Sequence, residues 1–423
     1  MRSIGLSFSI LAISALGVTG HRPAGAQDDA YEAFLRDQNT ALDRFQQGET
    51  RAFTAFLRAD SLAFAEFKAE VERRWDRFVE PEARTWIEYD SDLDARSTVD
   101  FEQGEARVEV IAPESTSHEA LAGRLRAKIE QVASSRGTTD DFAGRATDPA
   151  LGSPAPLSER PILEGQIAGA SGVAVSTTEV KRFADRQVNE GKMRSSTFTG
   201  RDGVARVKLT IVLPLVPDHL RRRAERYLPT VREQSSSVAR RKDVAAMPIE
   251  LVLAIMQTES FFNPKARSHV PAFGLMQLVP NSGAKDALQY LGEEERVLSG
   301  EALYVPPRNI ELGIAYVSKL WHQYYRGIKD PVCRQYCVIA AYNTGPGNVN
   351  RTLNTGSSGV SKSQRGRFGP AVARVNREFT GRGDELKAHL LEHLPHDETK
   401  GYLTKVSERM GNYAEWSRPD PAS

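Results

Sequence analysis

The stretch Pro248-Ile-Glu-Leu-Val-Leu-Ala-Ile-Met-Gln-Thr-Glu-Ser-Phe-Phe262 carries two carboxylates with opposite settings. At roughly 100° per residue of helix, Glu259 falls within about 60° of Val252, Ile255 and Met256, whereas Glu250 points away from them. One carboxylate is drawn inward and the other is solvated. Pro248 at the first helical position and Asn263 before Pro264 bound the helix, which puts Glu259 in its last turn, near the negative end of the dipole. Desolvation and dipole both raise a carboxyl pKa. A carboxyl that keeps its proton near neutrality can hand it to a leaving oxygen, the acid half of glycoside cleavage. Periodicity alone equally allows a buried glutamate paired with an arginine in the core.

Other constellations are weaker. No acid lies between Glu259 and Asp286, so the local sequence offers no second carboxylate of the kind two-carboxylate glycosidases use, although a distant one could fold in. His389-Leu-Leu-Glu392-His393 fits the H-x-x-E-H pattern of inverted zinc proteases, with Glu392 to activate water. Its plainer reading is a helix end with histidines near the dipole, stopping before Pro395. Asp90, Asp92 and Asp94 begin like a calcium loop, but Ala95 and Phe101 stand where Gly and Glu are needed, which argues against calcium. Cys333 and Cys337 lie four apart on a helix that Asp330 should cap, with Pro331 at its first position, and read as small buried hydrophobes. A disulfide along one helix face would strain its geometry, and two thiols without further ligands make a poor zinc site.

The elements that must position these groups can be read in outline. With 423 residues and 40% hydrophobic content the chain can form two or three cores, and a net charge of +1 gives no global drive toward nucleic acid or an anionic membrane. Arg2, the apolar run from Ile4 to Val18 and Ala24-Gly-Ala26 read as a signal peptide cleaved before Gln27; the run is too short for a spanning helix. Phenylalanines at 34, 45, 53, 56, 64 and 67 suit one or two amphipathic helices. Thr85 to Ile111 alternates around Gly104 as a small antiparallel element, a helix is expected over 117–134, and a loop or linker follows to Pro156. Val204 to Leu215 is strand-like, Asp218 should cap the next helix, and the pattern is helical from there on. The Gly-, Ser-, Lys- and Arg-rich stretch from Thr355 to Gly369 reads as a mobile basic loop, either a contact for an anionic polymer or simply a solvated surface.

Taken as an ordered set, Glu259-Ser260-Phe261, Asn263-Pro264, Ala266-Arg-Ser268, Gly274-Leu-Met-Gln277-Leu-Val-Pro280 and Ala341-Tyr342-Asn343 with Gly345 and Gly347 resemble the lytic murein transglycosylases, lysozyme-like enzymes that cut peptidoglycan strands. Val216-Pro-Asp-His219, Arg222-Arg-Ala224, Tyr227, Arg334-Gln-Tyr336 and, upstream, Trp86-Ile-Glu-Tyr89, Arg96-Ser97 and Asp100-Phe-Glu102 are similar to the membrane-bound C subgroup. After the signal peptide expected over 1–26, the resemblance implies an α+β protein, with a smaller α+β domain over 27–217 and an all-α lysozyme-like catalytic domain over 218–423. It implies Glu259 as the single catalytic carboxyl. Ser260 and Ser268 would orient the acid or the substrate's acetamido group, and Gln277 and Asn343 would bond sugar substituents. Met276 and Tyr342 would shape an apolar floor, and Tyr402, in a last motif with Leu394-Pro395 and Glu398-Thr399, would bond the catalytic carboxyl. Residue chemistry offers plainer roles as well: Ser260 can bond back to a carbonyl of its own helix, Gln277 and Asn343 can satisfy buried backbone, and Met276 can simply pack. A hydrolytic lysozyme, with the same fold and Glu259 but water as acceptor, is the nearest alternative. The implied partner is the peptidoglycan glycan strand, with no cofactor, metal or nucleic acid, and with division or wall-synthesis proteins as candidates for the N-terminal domain. The first cysteine is Cys333, so no thiol stands beside the expected cleavage site to carry a lipid; this departs from the membrane-bound subgroup and points to the periplasm, with membrane contact left open.

Overall fold

Alternating burial organises the first half of the chain. In the computed structural model, which describes residues 61–139, 155–190, 193–268, 272–355 and 365–417 together with Thr54, Arg58 and Ser361, three strands form a meander. They are β1 (Thr85–Tyr89), β2 (Ala95–Asp100) and β3 (Glu105–Pro113), with the turns between them using positive φ at Leu93 and Gly104. β5 (Ala205–Pro214) pairs with β3, Val108 opposite Ile211, and β4 (Arg194–Thr199) lies outside it, so the sheet is antiparallel in the order β1-β2-β3-β5-β4. Because strand side chains alternate between faces, Val108 and Val110 meet one layer and Ile111 another.

On the first face lies α2 (His118–Ser134), whose Ser117 cap accepts from the Ala120 N–H and whose Leu121, Leu125, Ile129 and Val132 join the sheet core beside α3 (Val180–Asn189). On the other face, Phe67 and Val71 of α1 (residues 61–74) and the following Trp75 pack on Ile111. The same layer buries Arg96 directly across from Glu109, Nε to Oε2 2.6 Å, with the guanidinium 4.3 Å from the Trp75 ring centroid. The phenylalanines at 34, 45, 53 and 56, the expected signal peptide, residues 140–154 of the expected linker and most of the 355–369 loop fall outside the described residues.

From residue 219 onward the described chain is helical. The helices are α4 (His219–Lys242), α5 (Ile249–Ser260), α6 (Gly283–Leu291), α7 (Gly300–Tyr304) and α8 (Pro306–Lys319), the last continued by a π turn over Leu320–Tyr324. Then come α9 (Pro331–Thr344), α10 (Pro346–Leu353), α11 (Phe368–Glu378), α12 (Gly383–His393) and α13 (Asp397–Arg409), with a 3-10 stretch over Met410–Ser417. α5 is apolar nearly all round and sits at the centre, in contact with α4, α13 and the 3-10 stretch. The protein is therefore α+β, a sheet region followed by a helical one.

Asp330 caps α9 as expected, accepting from the Val332 and Cys333 amides, and Cys333 and Cys337 are buried free thiols. Several local expectations need correcting. Asp218 precedes α4 but does not cap it, because both its oxygens are taken by Arg222 Nε at 3.0 Å. Pro248 stands one position before α5 rather than inside it. The helix stops at Ser260, short of Asn263, because Phe261 and Phe262 turn left-handed with φ 50° and 59°. Gly345 (φ 80°) ends α9, but Pro346 restarts the chain as α10, so Gly347 lies inside a helix instead of closing one.

Candidate active site

The helical region encloses a cleft of about 530 Å³, and Glu259 stands in its wall at the end of α5. Part of Glu259 remains open to the cleft, but the packing around its carboxyl pushes the pKa up to about 8, chiefly by desolvation. The nearby hydroxyl of Tyr402 works against that rise and the carboxylate of Glu398 adds to it. Among the described residues no cation pairs with Glu259, which removes the reading of a core glutamate held by an arginine. Glu250, in the first turn of α5, is half-buried rather than fully solvated, and its amide donates to Ser417 Oγ at 3.2 Å.

Ser260 is fully buried and faces away from the cleft. Its hydroxyl lies 3.1 Å from the Met256 carbonyl and 2.7 Å from that of Leu275, tying the end of α5 to the following loop. That loop depends on Gly274: a Cβ there would meet the Leu303 carbonyl at 2.4 Å, and its φ of 76° suits glycine. Buried Asn309 on α8 organises the segment, accepting from the Met276 amide at 2.8 Å and donating to the carbonyls of Phe273 and Leu303 at 2.9 and 2.8 Å. Met276 is not a floor under the cleft; its side chain is buried against Gly313, the space a Cβ at Gly313 would occupy. Gln277 does line the cleft. Its Nε2 donates to the carbonyls of Ala266 and Gly274, both at 3.0 Å, which leaves Oε1 enclosed and without a partner among the described residues. Ser268 lines the same wall, its Oγ accepting from the Ala272 amide at 3.3 Å.

Across the cleft, Tyr342 bonds its hydroxyl to the Met276 carbonyl at 2.8 Å and tilts against Tyr316, with centroids 5.4 Å apart. Next to it, Asn343 Oδ1 accepts from Thr399 Oγ1 at 2.7 Å, so its Nδ2 is left for another acceptor. Tyr402 is buried beside Glu259. Its hydroxyl influences the carboxyl but falls short of full hydrogen-bond geometry and has no other partner among the described residues. The cleft therefore gathers Glu259, Ser268, Gln277, Tyr342 and Asn343, with Tyr402 behind the acid.

The zinc pattern takes a different course. The His389 and His393 rings stack at 4.4 Å, His393 Nδ1 lies 3.0 Å from the His389 carbonyl, and His389 Nε2 faces the Thr352 carbonyl at 3.4 Å, while Glu392 is exposed. Ring nitrogens turned to backbone carbonyls are poorly placed as ligands, and the described residues contain no cluster of three or more metal-ligating side chains.

The Transglycosylase SLT domain family matches residues 237–363, a span that includes Glu259, Gln277 and Asn343. Membrane-bound lytic murein transglycosylase C of Klebsiella pneumoniae subsp. pneumoniae is 32% identical over 321 residues, covering 75% of this chain and 78% of that protein. The chain belongs to the membrane-bound lytic murein transglycosylase C family. The protein of the same name from Pectobacterium atrosepticum is 35% identical over 258 residues, and the match covers 61% of this chain and 64% of that relative, just under two thirds of its length. Among solved structures, lytic transglycosylase Slt of Pseudomonas aeruginosa is similar at 27% identity and a TM-score of 0.30, covering 45% of this chain and 25% of that one.

Two acids distant in sequence from Glu259 line the cleft, the possibility that the local sequence left open. Asp286 comes from α6 and is matched by Lys319 Nζ at 2.6 Å. Glu398 comes from α13, and among the described residues no cation is paired with it. The Glu398-Thr399 pair in the last motif was the available signal for the second. Asn309, which braces the Gly274 to Gln277 loop, follows Pro306-Pro307-Arg308 with no feature that marks it.

Proposed function

We propose that this enzyme cleaves the β-1,4 bond between N-acetylmuramic acid and N-acetylglucosamine in peptidoglycan and leaves a 1,6-anhydromuramic end, with Glu259 acting first as acid and then as base. The observation that carries the reading is a carboxyl desolvated in a cleft, with no cation paired with it among the described residues, so that it holds its proton at neutral pH. Glu259 donates that proton to the bridging oxygen as the bond to the anomeric carbon breaks, and the substrate's own acetamido oxygen stabilises the positive charge that develops. The carboxylate so formed then takes the proton of the muramic 6-hydroxyl while that oxygen bonds to the anomeric carbon. Each proton is accounted for, and the tethered hydroxyl has the proximity advantage of an intramolecular nucleophile.

The flanking groups suit these steps. Tyr402, beside Glu259 with no competing partner among the described residues, completes a bond to the carboxylate when the acid has given up its proton. The unpartnered Gln277 Oε1 accepts from a sugar N–H or O–H, and Asn343 Nδ2 donates to a sugar oxygen. Ser268 is positioned for the acetamido group. In this reading Ser260 and Met276 act through the backbone they brace. We place the catalytic domain at 218–423 and its site of action in the periplasm, where the substrate lies; no helix among the described residues is long and apolar enough to cross a membrane.

Glu398 favours one rival. A second carboxylate in the cleft could activate water, and the enzyme would then be a muramidase. Digestion of sacculi in heavy-oxygen water separates the two: anhydromuropeptides without label at the anomeric carbon are expected, and a substrate blocked at the 6-hydroxyl should resist cleavage. Predominantly labelled reducing ends, lost in Glu398→Gln, would establish the muramidase instead.

A further inference from the structure

Phe261 and Phe262, which follow Glu259-Ser260, both hold left-handed backbone with no glycine to ease it. For bulky residues that conformation persists only where the surroundings enforce it. The two rings part company: Phe261 packs on the apolar core of the sheet region, and Phe262 is buried in the core of the helical region. Their carbonyls, by contrast, converge on Arg223 of α4. Its Nε donates to the Phe261 carbonyl at 3.3 Å and its Nη2 to that of Phe262. The third nitrogen, Nη1, donates to Gln166 Oε1 at 3.1 Å, and the guanidinium carbon lies 3.6 Å from the centroid of Phe101. Gln166 and Phe101 both belong to the sheet region, and Gln166 is itself fixed by donating to the Ile162 carbonyl at 2.7 Å.

Arg223 is buried without a carboxylate partner among the described residues, an arrangement costly enough to need a purpose. Everything its fork reaches belongs to the left-handed turn or to the sheet-side groups that hold the fork in place. A rigid planar donor set can keep two carbonyls at fixed separation, which a single ammonium cannot. Arg409 grips the same helix end, Nη1 to the Gln257 carbonyl at 3.2 Å and its guanidinium over the Phe261 ring, but it does so from within the helical region.

We infer that Arg223 is a positioning residue for Glu259: by clamping the Phe261-Phe262 turn against Gln166 and Phe101 it sets the rotation of the last turn of α5 and thus the aim of the carboxyl. The acid's setting then depends on the sheet region as well as on the helices around it. This rests on Glu259 being the general acid. The groups that act on Glu259 directly are Tyr402 and Glu398 of α13, and Tyr342 of α9 is a neighbour that its charge acts on; Arg223 is not among them. A change in the titration of Glu259 on altering Arg223 must therefore travel through the turn.

The test uses the full chain with Arg223→Lys and Gln166→Met, soluble glycan-strand fragments so that kcat and KM separate, and a pH series from about 5 to about 10. For Arg223→Lys we expect kcat to fall by about tenfold with KM within about twofold, and the alkaline limb to move to lower pH as water reaches the carboxyl. Gln166→Met should shift both in the same direction by less, about threefold in kcat. A folded Arg223→Lys whose only change is a lower melting temperature, with kcat and the limb unmoved, overturns the inference. If that variant does not fold, Gln166→Met decides alone, and an unchanged kcat and limb there overturns it equally. Glu259→Gln runs beside both: if it stays active the proposed function fails, whereas an inactive Glu259→Gln with an unaltered Arg223→Lys sinks only the positioning role.

Discussion

Glu109 in the sheet and Glu259 in the cleft are both withdrawn from water, yet only Glu109 is given a counter-ion. Glu109 is 2% exposed, with Arg96 bonded across the strands at 2.6 Å and Lys208 Nζ at 4.0 Å. Its charge is solvated by the protein and serves the sheet. Burial holds Glu259 protonated up to about pH 8, and among the described residues it has only a tyrosine hydroxyl to favour its ionised form and a second carboxylate to oppose it. Burial alone thus does not make an acid. Burial with the cation withheld does, and the cations near α5, Arg223 and Arg409, are spent on backbone carbonyls instead.

The largest effect should come from removing the titratable proton. Glu259→Gln should lower muropeptide release by at least about two orders of magnitude while its circular dichroism and melting remain those of a folded protein. Removing the paired glutamate should do the reverse. Glu109→Gln strands a buried guanidinium, so unfolding in urea should show a loss of about 3–5 kcal/mol, with kcat of the folded fraction little changed. A stable Glu109→Gln protein would mean the sheet pair is not what distinguishes the two sites.

Acid and alkali should separate the sites further. The folded-state pKa of Glu259, about 8, exceeds the ordinary 4.5, so the proton it retains stabilises the fold fully below about pH 4.5. That contribution is lost as pH rises to about 8, and Glu259→Gln should remove this part of the pH dependence of melting. Two milder variants should move the alkaline limb of kcat in opposite directions, each with less than about a tenfold change in rate at neutral pH. Glu398→Gln removes a like charge and shifts the limb down; Tyr402→Phe removes a group that favours the carboxylate and shifts it up. Shifts of the same sign would show that Glu259 is not the titrating group. The smallest expected effect is none: exhaustive chelation, or His389→Ala, should leave muropeptide release intact, and recovery of a lost activity by zinc would redirect attention to His389, Glu392 and His393.

How much of this was legible depended on whether the signal was local. The inward turn of Glu259 follows from helical periodicity over Val252, Ile255 and Met256, and the Asp330 cap and the β2–β3 hairpin around Gly104 are equally local. β4 left no such trace, because Arg-Ser-Ser-Thr-Phe-Thr is an edge strand with little burial on either face and so no apolar alternation. Glu398 and Asp286 reach the cleft through tertiary packing of α13 and α6, which periodicity does not report. The fates of Ser260 and Met276 turned on which way a short side chain and a loop residue faced, and the left-handed pair after α5 had no glycine to announce it. Asp218 failed as a cap because Arg222, one helical turn on, competed for it.

Asn263, just beyond that pair, is fully buried and donates its side-chain amide to the main-chain carbonyls of Ala83 and Thr85, at 3.2 and 3.0 Å. A carbonyl acceptor survives almost any replacement of the residue that bears it. Natural variation can therefore rewrite positions 83 and 85 without a matching change at Asn263, and the same freedom holds for the carbonyls that Arg223 grips. The seam between sheet and helices should appear among related sequences as solitary invariant donors with no co-varying partners, so methods that find contacts from paired substitutions would pass over the join on which the acid depends.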